Sequence, residues 1–304
     1  TIEFMLDELA LPSGMFAGSL NADSLEAGGV GAEKKESEGA FYTFSAKDIE
    51  QALPKAIRTQ VEAGCNFTAA GNCGAGKNLP YFSSKGSKAP VYEGLKKLEY
   101  WRLKRPRPTR NNTVVAAWNG MAISSLVSAY RATRNPKYLE VAQKAANALL
   151  LKLSLPDKLI HSDISNQEGF LDDYAYVEKA MLDLYSVDRG SLWRRKARAL
   201  NAIVLERFLD KDNGKFLYAP RVAGQSSANI YATTDGTWPS AAGTAIENLI
   251  RLDALPTMPG DVASQESLLA IARRSLTASG REMQEDPAAH ASMLVALERL
   301  LRKN

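Results

Sequence analysis

Between Leu171 and Tyr185, apolar residues fall at Leu171, Tyr174, Ala175, Val177, Ala180, Met181, Leu184 and Tyr185, the spacing of a helix with one broad buried face. The same period runs through most of the second half of the chain and predicts helices over 119–133, 137–153, 170–187, 191–209, 240–253, 264–279 and 288–302. Alternate helices start alike: at Trp118 in Ala117-Trp118-Asn119-Gly120-Met121, at Phe170 in Gly169-Phe170-Leu171-Asp172-Asp173-Tyr174, at Ser240 after Asp235-Gly236-Thr237-Trp238-Pro239, and at Ala288 just before His290. Each of these starts mixes an aromatic or small residue with a polar one, whereas the helix after it is plainer and more charged. Self-similarity of this kind predicts stacked helical hairpins. The inner helices would share a pocket at their N-termini and the outer ones would face water. Asp212-Asn213-Gly214 ahead of Lys215-Phe216-Leu217-Tyr218 is a turn signal that predicts a short β-hairpin on the rim of that pocket.

The first hundred residues are less regular. A helix over 1–10 should end before Pro12, because proline disfavours helical geometry in the residue before it. Residues 12–39 read as a long loop containing Gly28-Gly29 and the charge run Glu33 to Glu38. Phe41-Tyr42-Thr43-Phe44 is a strand candidate, Ser45 with Asp48 forms a capping-box pattern, and Pro54 should break the helix that follows. A second loop over 64–90 precedes a helix over 91–104. The chain is expected to form one domain, with hairpins and long loops in 1–110 and regular helical hairpins in 111–304.

With 45% hydrophobic and 24% charged residues over 304 positions, the composition is that of a globular protein with a large core. A net charge of +4 gives no general affinity for nucleic acid, and the basic run Arg102 to Arg110 alternates with prolines, which reads as a solvated linker. No apolar stretch approaches the roughly 20 residues of a membrane span. Thr1 lies inside an amphipathic pattern, so the native start is expected to have been removed, and a cytoplasmic location is the default expectation. Cys65 and Cys73, in a loop rich in glycine and asparagine, are expected to be free thiols. With two histidines, His161 and His290, and no accompanying thiol cluster, neither a metal nor a cofactor is expected. Gly71 and Gly76 precede Lys77 at phosphate-loop spacing, but Asn78 replaces the hydroxyl and no apolar strand leads in.

Several stretches in a fixed order resemble the C-terminal part of the thioredoxin-domain-containing family that includes spermatogenesis-associated protein 20 and bacterial YyaL-type proteins. They are Ala22-Asp23-Ser24, Glu38-Gly39-Ala40-Phe41-Tyr42, Gly76-Lys77-Asn78, Arg105-Pro106-Arg107-Pro108, Trp118-Asn119-Gly120, Leu171-Asp172-Asp173-Tyr174-Ala175, and Asp235-Gly236 with Pro239-Ser240. The resemblance covers most of residues 1 to about 255. It implies an all-α fold, an (α/α)6 toroid of the six-hairpin glycosidase kind, similar to N-acylglucosamine 2-epimerases and here incomplete or modified. Family members carry a thioredoxin-like domain, which is expected to be missing from this chain. Three departures stand out: Asn21 where the family has aspartate, Asn111-Asn112-Thr113 in place of an Asp-Asp-Lys run, and Ala241-Ala242 after Pro239-Ser240 in place of Gly-Asn. Neutral groups at these places point to a more hydrophobic ligand.

Three functions are open to such a pocket. The first is a cofactor-independent isomerase or cyclase, of pericyclic type, that shapes a hydrophobic small-molecule intermediate through orientation and preorganised donors. Asn119, Tyr174, Ser240 and His290 would be its catalytic donors, with Trp118 and Trp238 as walls and Tyr42 as a phenol at the lid. The second is a carbohydrate 2-epimerase or a glycosidase. The epimerase needs a pair of groups to remove and return a proton beside a carbonyl, commonly two histidines. Two facing bases are hard to assemble here, since only His290 lies near a predicted inner-helix start and His161 sits before the second inner helix in a possible hairpin. The glycosidase needs two carboxyls drawn from Asp172, Asp173 and Asp235. The same aspartates can equally cap helices. The third is a non-catalytic interaction protein.

Overall fold

The computed structural model describes residues 1–26, 36–82, 88–221, 229–256 and 266–302. Gly28-Gly29 and, of the charge run, Glu33 to Lys35 lie outside the described residues. The chain divides into two compact units, one formed by 1–18 with 112–304 and the other by 19–111.

Helix α1 (Ile2–Phe4) continues into a π-helical turn (Met5–Leu9), so the helix expected over 1–10 is present but widened. In the smaller unit, β1 (Ser19–Leu20) pairs with β6 (Arg110–Asn111), β2 (Asp23–Leu25) with β3 (Glu36–Glu38), and β4 (Phe44–Ser45) with β5 (Lys77–Asn78), all antiparallel. The strand expected at 41–44 shrinks to its last residue, because Gly39 to Tyr42 form a turn. The Ser45 and Asp48 capping box starts α2 (Ala46–Ala52), and Pro54 separates it from α3 (Lys55–Gly64), which packs on α4 (Lys88–Arg102). The basic run is not simply solvated. The buried Arg105 guanidinium donates to the carbonyls of Ala40 at 2.9 Å and Thr43 at 2.6 Å and to Asp48 at 3.1 Å, between the rings of Phe44 and Trp101. Lys77 lies on β5 and reaches Ser37 at 3.1 Å, so the glycines before it serve a turn and a strand. Cys65 is buried and Cys73 exposed, and they are not bonded.

The larger unit carries the helical pairs. They are α5 (Ala116–Thr133) with α6 (Pro136–Leu153), α7 (Leu171–Asp188) with α8 (Ser191–Arg207), and α9 (Ala241–Asp253) with α10 (Leu268–Ala278). A short α11 (Gly280–Glu285) leads to α12 (Ala291–Leu301). Local chemistry sets the boundaries. Asn135 caps α6 through the Lys137 N–H with Pro136 in the first turn, Ser240 caps α9 through the Gly243 N–H, and Arg134 and Arg189 end α5 and α7 in the left-handed conformation.

Helices α5, α7, α9 and α12 pack in that order as an inner row, each joined to the next through an outer helix or connection. Hydrogen bonds show that the row is parallel. Asp173 at the start of α7 accepts from Ala117 at the start of α5, and Ser240 at the start of α9 meets Ser292 in the first turn of α12. Parallel inner helices linked by antiparallel outer ones are the arrangement of an (α/α) toroid, here an incomplete one. The core between the rows holds Leu126, Leu149, Tyr174, Met181, Phe208, Leu249, Ile271 and Met293. Among the described residues no helix is long and apolar enough to cross a membrane.

Backbone meets backbone in the inner row at Gly120, where an added Cβ would lie 2.7 Å from the Tyr176 carbonyl carbon and 2.9 Å from the Val177 nitrogen. In an open helix Gly→Ala stabilises by roughly 0.5–1 kcal/mol. Here backbone meets backbone and no side chain can yield, so Gly120→Ala should instead destabilise by about 1–3 kcal/mol in chemical denaturation. A gain in stability would show that α5 and α7 are not in contact at this point.

Candidate functional site

The starts of α5 and α7 are stitched together by one buried carboxyl. Asp173 has none of its surface exposed. Its Oδ1 accepts the Ala117 N–H at 2.9 Å, while its Oδ2 accepts the Phe170 N–H at 2.9 Å and faces Nδ1 of His161 at 2.8 Å. His161 arrives on a short hairpin closed by the bridge between Ile160 and Glu168 and by Gly169 N–H donating to the Leu159 carbonyl at 2.7 Å. Burial raises the Asp173 carboxyl to about 6, and the neighbouring Asp172 charge adds to the rise while His161 opposes it. An ionised Asp173 can only accept, so with that carboxylate the proton of the His161–Asp173 contact sits on Nδ1. Nε2 has no hydrogen-bond partner among the described residues, and the His161 side chain is 30% exposed.

Asp172 is the partner carboxyl that reaches the surface. It accepts the Asp173 N–H at 3.0 Å, and burial raises its pKa. Two tyrosines feel its charge. Tyr176 is pushed up to about 12, by burial first and then by Asp172 and Asp235, and it donates to the Pro239 carbonyl. Tyr218 is raised by burial and by both aspartates, and its ring stacks on Phe170 at 4.9 Å with a 10° tilt. Phe170 in turn meets the His161 ring edge-on at 5.4 Å. A partly exposed aromatic face therefore borders the Asp172 and His161 pair.

The starts of α9 and α12 are joined by Asp235, which accepts the N–H groups of Ser240 and Ser292, each at 2.8 Å, and the Ser292 hydroxyl. Burial works to raise its pKa, but these hydrogen bonds outweigh it and hold Asp235 below the usual carboxylate range. Ser240 is buried, and its hydroxyl accepts the Gly243 N–H at 3.0 Å and meets the Ser292 hydroxyl at 2.8 Å. Both groups thus serve as caps.

The other residues singled out in the sequence are placed as follows. Asn119 is buried, with its amide spent on both backbone groups of Phe16, at 2.8 and 3.0 Å, and on the Val115 carbonyl at 3.0 Å. Tyr174 is buried in the core, its hydroxyl accepting from the Leu159 N–H at 2.8 Å and donating to Glu168 at 3.2 Å. Neither keeps a donor for a ligand, because each satisfies backbone that would otherwise be orphaned. His290 is buried, with Nδ1 on the Asp286 carbonyl at 2.8 Å and Nε2 unpartnered. Trp118 and Trp238 stay 39% and 43% exposed beside the starts of α5 and α9. Tyr42 belongs to the smaller unit, edge-on to Phe41 at 5.0 Å with the Arg102 guanidinium 5.3 Å from its ring. Among the described residues no group of three or more histidine, cysteine or acidic side chains could hold a metal ion.

The structure adds Tyr176, Tyr218 and Ser292 to the residues named from sequence, and it places His161, weighed there as one of two histidines, at the start of α7. The hairpin that carries His161 leaves only a faint signal, a short run between α6 and α7 without helical period. Ser292 could have been found from its place two residues after His290, at an inner-helix start.

Fold and site together define an incomplete (α/α) toroid with polar groups gathered at the N-terminal ends of its inner helices. No family model matches the chain. It is 31% identical over 209 residues to an uncharacterised protein of Caenorhabditis elegans, covering 65% of this chain and 27% of that protein. It is 25% identical over 341 residues to spermatogenesis-associated protein 20 of Rattus norvegicus, covering 97% of this chain and 42% of the relative. Its homologues are thus the spermatogenesis-associated protein 20 proteins, as the motif order indicated, and the chain spans less than half the length of these relatives. Among solved structures, it is similar to the GH76A alpha-1,6-mannanase of Salegentibacter sp. HEL1_6, with 13% identity, TM-score 0.45, and 91% of this chain and 68% of that one covered. It is also similar to the cellobiose 2-epimerase of Spirochaeta thermophila DSM 6192, with 11% identity, TM-score 0.45, and coverage of 93% and 69%.

The raised carboxyl predicts a pH signature. The folded state holds the Asp173 proton up to about pH 6, against an ordinary aspartate value of 3.8. Its contribution to stability is therefore fully present below about pH 4 and is lost as pH rises through about 6. In denaturation measured from pH 3.5 to 7.5, this falling component should be present in the native sequence and absent from Asp173→Asn, whatever the absolute stability of the variant. Parallel curves would show that Asp173 does not titrate there.

Proposed function

We propose that the chain is a carbohydrate-active enzyme of the epimerase and glycosidase kind, working by general acid–base catalysis at His161 and Asp172. The observation that carries this reading is the His161–Asp173 pair, which orients a partly exposed imidazole beside a surface-reaching carboxyl of raised pKa. Asp173 is a positioning residue, since both of its oxygens are occupied. It fixes the tautomer and turns Nε2 of His161 outward as the base. Burial helps Asp172 keep a proton, which suits the complementary role of acid. The Tyr218 ring on Phe170 offers a flat apolar face for the C–H side of a sugar ring, with polar groups at its edge.

Within this class, proton transfer beside a carbonyl, as in 2-epimerisation, is the first reading. One base and one acid of different kinds stand together at His161 and Asp172, whereas the further carboxyl considered for a glycosidase, Asp235, is consumed by capping. Hydrolysis is the second reading. It is favoured by the raised pKa of Asp172, which would protonate a leaving oxygen while His161 activates water. The polar character of the cluster turns the reading away from a pericyclic cyclase with an apolar substrate, and Asn119 and Tyr174 hold backbone instead of offering donors.

The test is incubation with mannose, glucose and cellobiose in D2O, followed by proton NMR. Deuterium should enter at C2, and His161→Gln and Asp172→Asn should each lower turnover by about 10²–10⁴-fold with little change in KM. New reducing ends from oligosaccharides without C2 exchange would select hydrolysis. Neither reaction, together with no shift in melting temperature on adding sugars, would refute the carbohydrate reading and favour a non-catalytic interaction protein.

A further inference from the structure

The opposite ends of the inner helices border a partly open cavity that plays no part in the site above. It holds about 250 Å³ and lies where α7 and α9 end, with Leu182, Ile250 and Leu255 as apolar wall and Arg189, Arg251 and Arg299 around it. From Asp173 to Ser186, along α7 alone, is thirteen residues or about 20 Å.

The charges do not balance. Arg251 is paired with Asp183 at 2.7 Å, which also takes Lys179 at 3.1 Å, and Arg299 is paired with Glu247 at 3.1 Å. Arg189 has no acidic partner among the described residues. Its guanidinium lies 5.4 Å from the ring centroid of Tyr185, which also lines the cavity. A further guanidinium, that of Arg131 on α5, reaches the rim through the hydroxyl of Ser186. The C-terminal carbonyls of helices ordinarily repel an anion. At α9 that effect is reduced, because Arg198 covers the carbonyls of Leu252 at 3.3 Å and Leu255 at 3.2 Å. Arg189 also occupies a left-handed position, at φ 58°, where glycine or asparagine would sit with less strain.

We infer that this cavity binds a small organic anion with an apolar body, a monocarboxylate of about six carbons, its carboxylate held by Arg189 and Arg299 and its chain against Leu182, Ile250 and Leu255. Guanidinium forks match a carboxylate in two directions at once, and the apolar wall favours the chain but offers nothing to a bare inorganic ion. The inference does not depend on the reaction proposed for the other end.

The test uses hexanoate as probe in calorimetry at low salt, with hexanamide and acetate as the uncharged and the chainless controls. Hexanoate should bind saturably at one site, with each control weaker by about tenfold or more. Arg189→Gly removes the guanidinium while suiting the left-handed backbone, so it should weaken hexanoate by about tenfold or more with an unchanged or higher melting temperature. Arg134→Gly, at the matching left-handed position ending α5, should leave binding as it was. Absence of saturation up to roughly 10 mM would overturn the inference. So would equal binding of hexanamide, or unchanged hexanoate affinity in the combined Arg189→Gly and Arg299→Ala variant.

Discussion

The larger unit depends on one carboxyl that accepts three hydrogen bonds. Parallel inner helices bring their N-termini together, and each N-terminus carries N–H groups without an intrahelical partner. Asp173 resolves this for two helices at once, taking Ala117 N–H from α5 and Phe170 N–H at its own helix start. The same oxygen that caps α7 meets His161. The cost of burying the carboxyl appears as its raised pKa, and the imidazole is the group that gains orientation from it. Structure and chemistry are therefore not separable at this residue. Asp235 repeats the arrangement for α9 and α12 with serines alone, and there the hydrogen bonds outweigh burial.

Below these caps the inner row is held by polar groups buried among apolar ones. Asn248 of α9 donates to the Ala175 carbonyl of α7 at 2.8 Å, and Asn201 of α8 donates to Glu178 at 3.1 Å. Full burial pushes the Glu178 carboxyl well up, while the hydrogen bond from Asn201 opposes the rise, in a layer where Glu178 Oε2 and Asn248 Oδ1 have no partner. Asn119 does comparable work at the start of α5, where its amide pairs with both backbone groups of Phe16 and fastens the N-terminal segment. Buried groups that bond in fixed directions set the register of helices that Leu126, Met181 and Leu249 would pack in several ways.

The two ends of the inner row differ in sign for a physical reason. At the N-terminal ends, exposed N–H groups favour carboxylates, and the acidic groups Asp172, Asp173 and Asp235 collect there. At the C-terminal ends, carbonyls favour cations, and Arg189, Arg251 and Arg299 collect around the cavity there. The helix field sorts the charges, and side-chain pairing then decides which of them keep a free valence. His161 and Arg189 are two that do among the described residues.

The sequence by itself determined the helices and their pairing. Local signals suffice for both: the helical period, the recurring helix starts and the Ser45 and Asp48 capping box act over a few residues. It also showed which helix starts belong together, and the order of its motifs pointed to the homologues. Only the tertiary structure decided what the polar residues at those starts do. Whether Asn119 and Tyr174 face a ligand or the backbone depends on Phe16 and Leu159, 103 and 15 residues away in the chain, and no local pattern records such a partner. His161 reached its place through a hairpin held by the bridge between Ile160 and Glu168 and a few backbone hydrogen bonds around it, contacts too short to leave a period. Arg105 read as linker until the carbonyls of Ala40 and Thr43 were found around it. Helices follow from neighbours in sequence, whereas the fate of a hydrogen-bonding group follows from neighbours in space, and these are fixed only when the chain has folded.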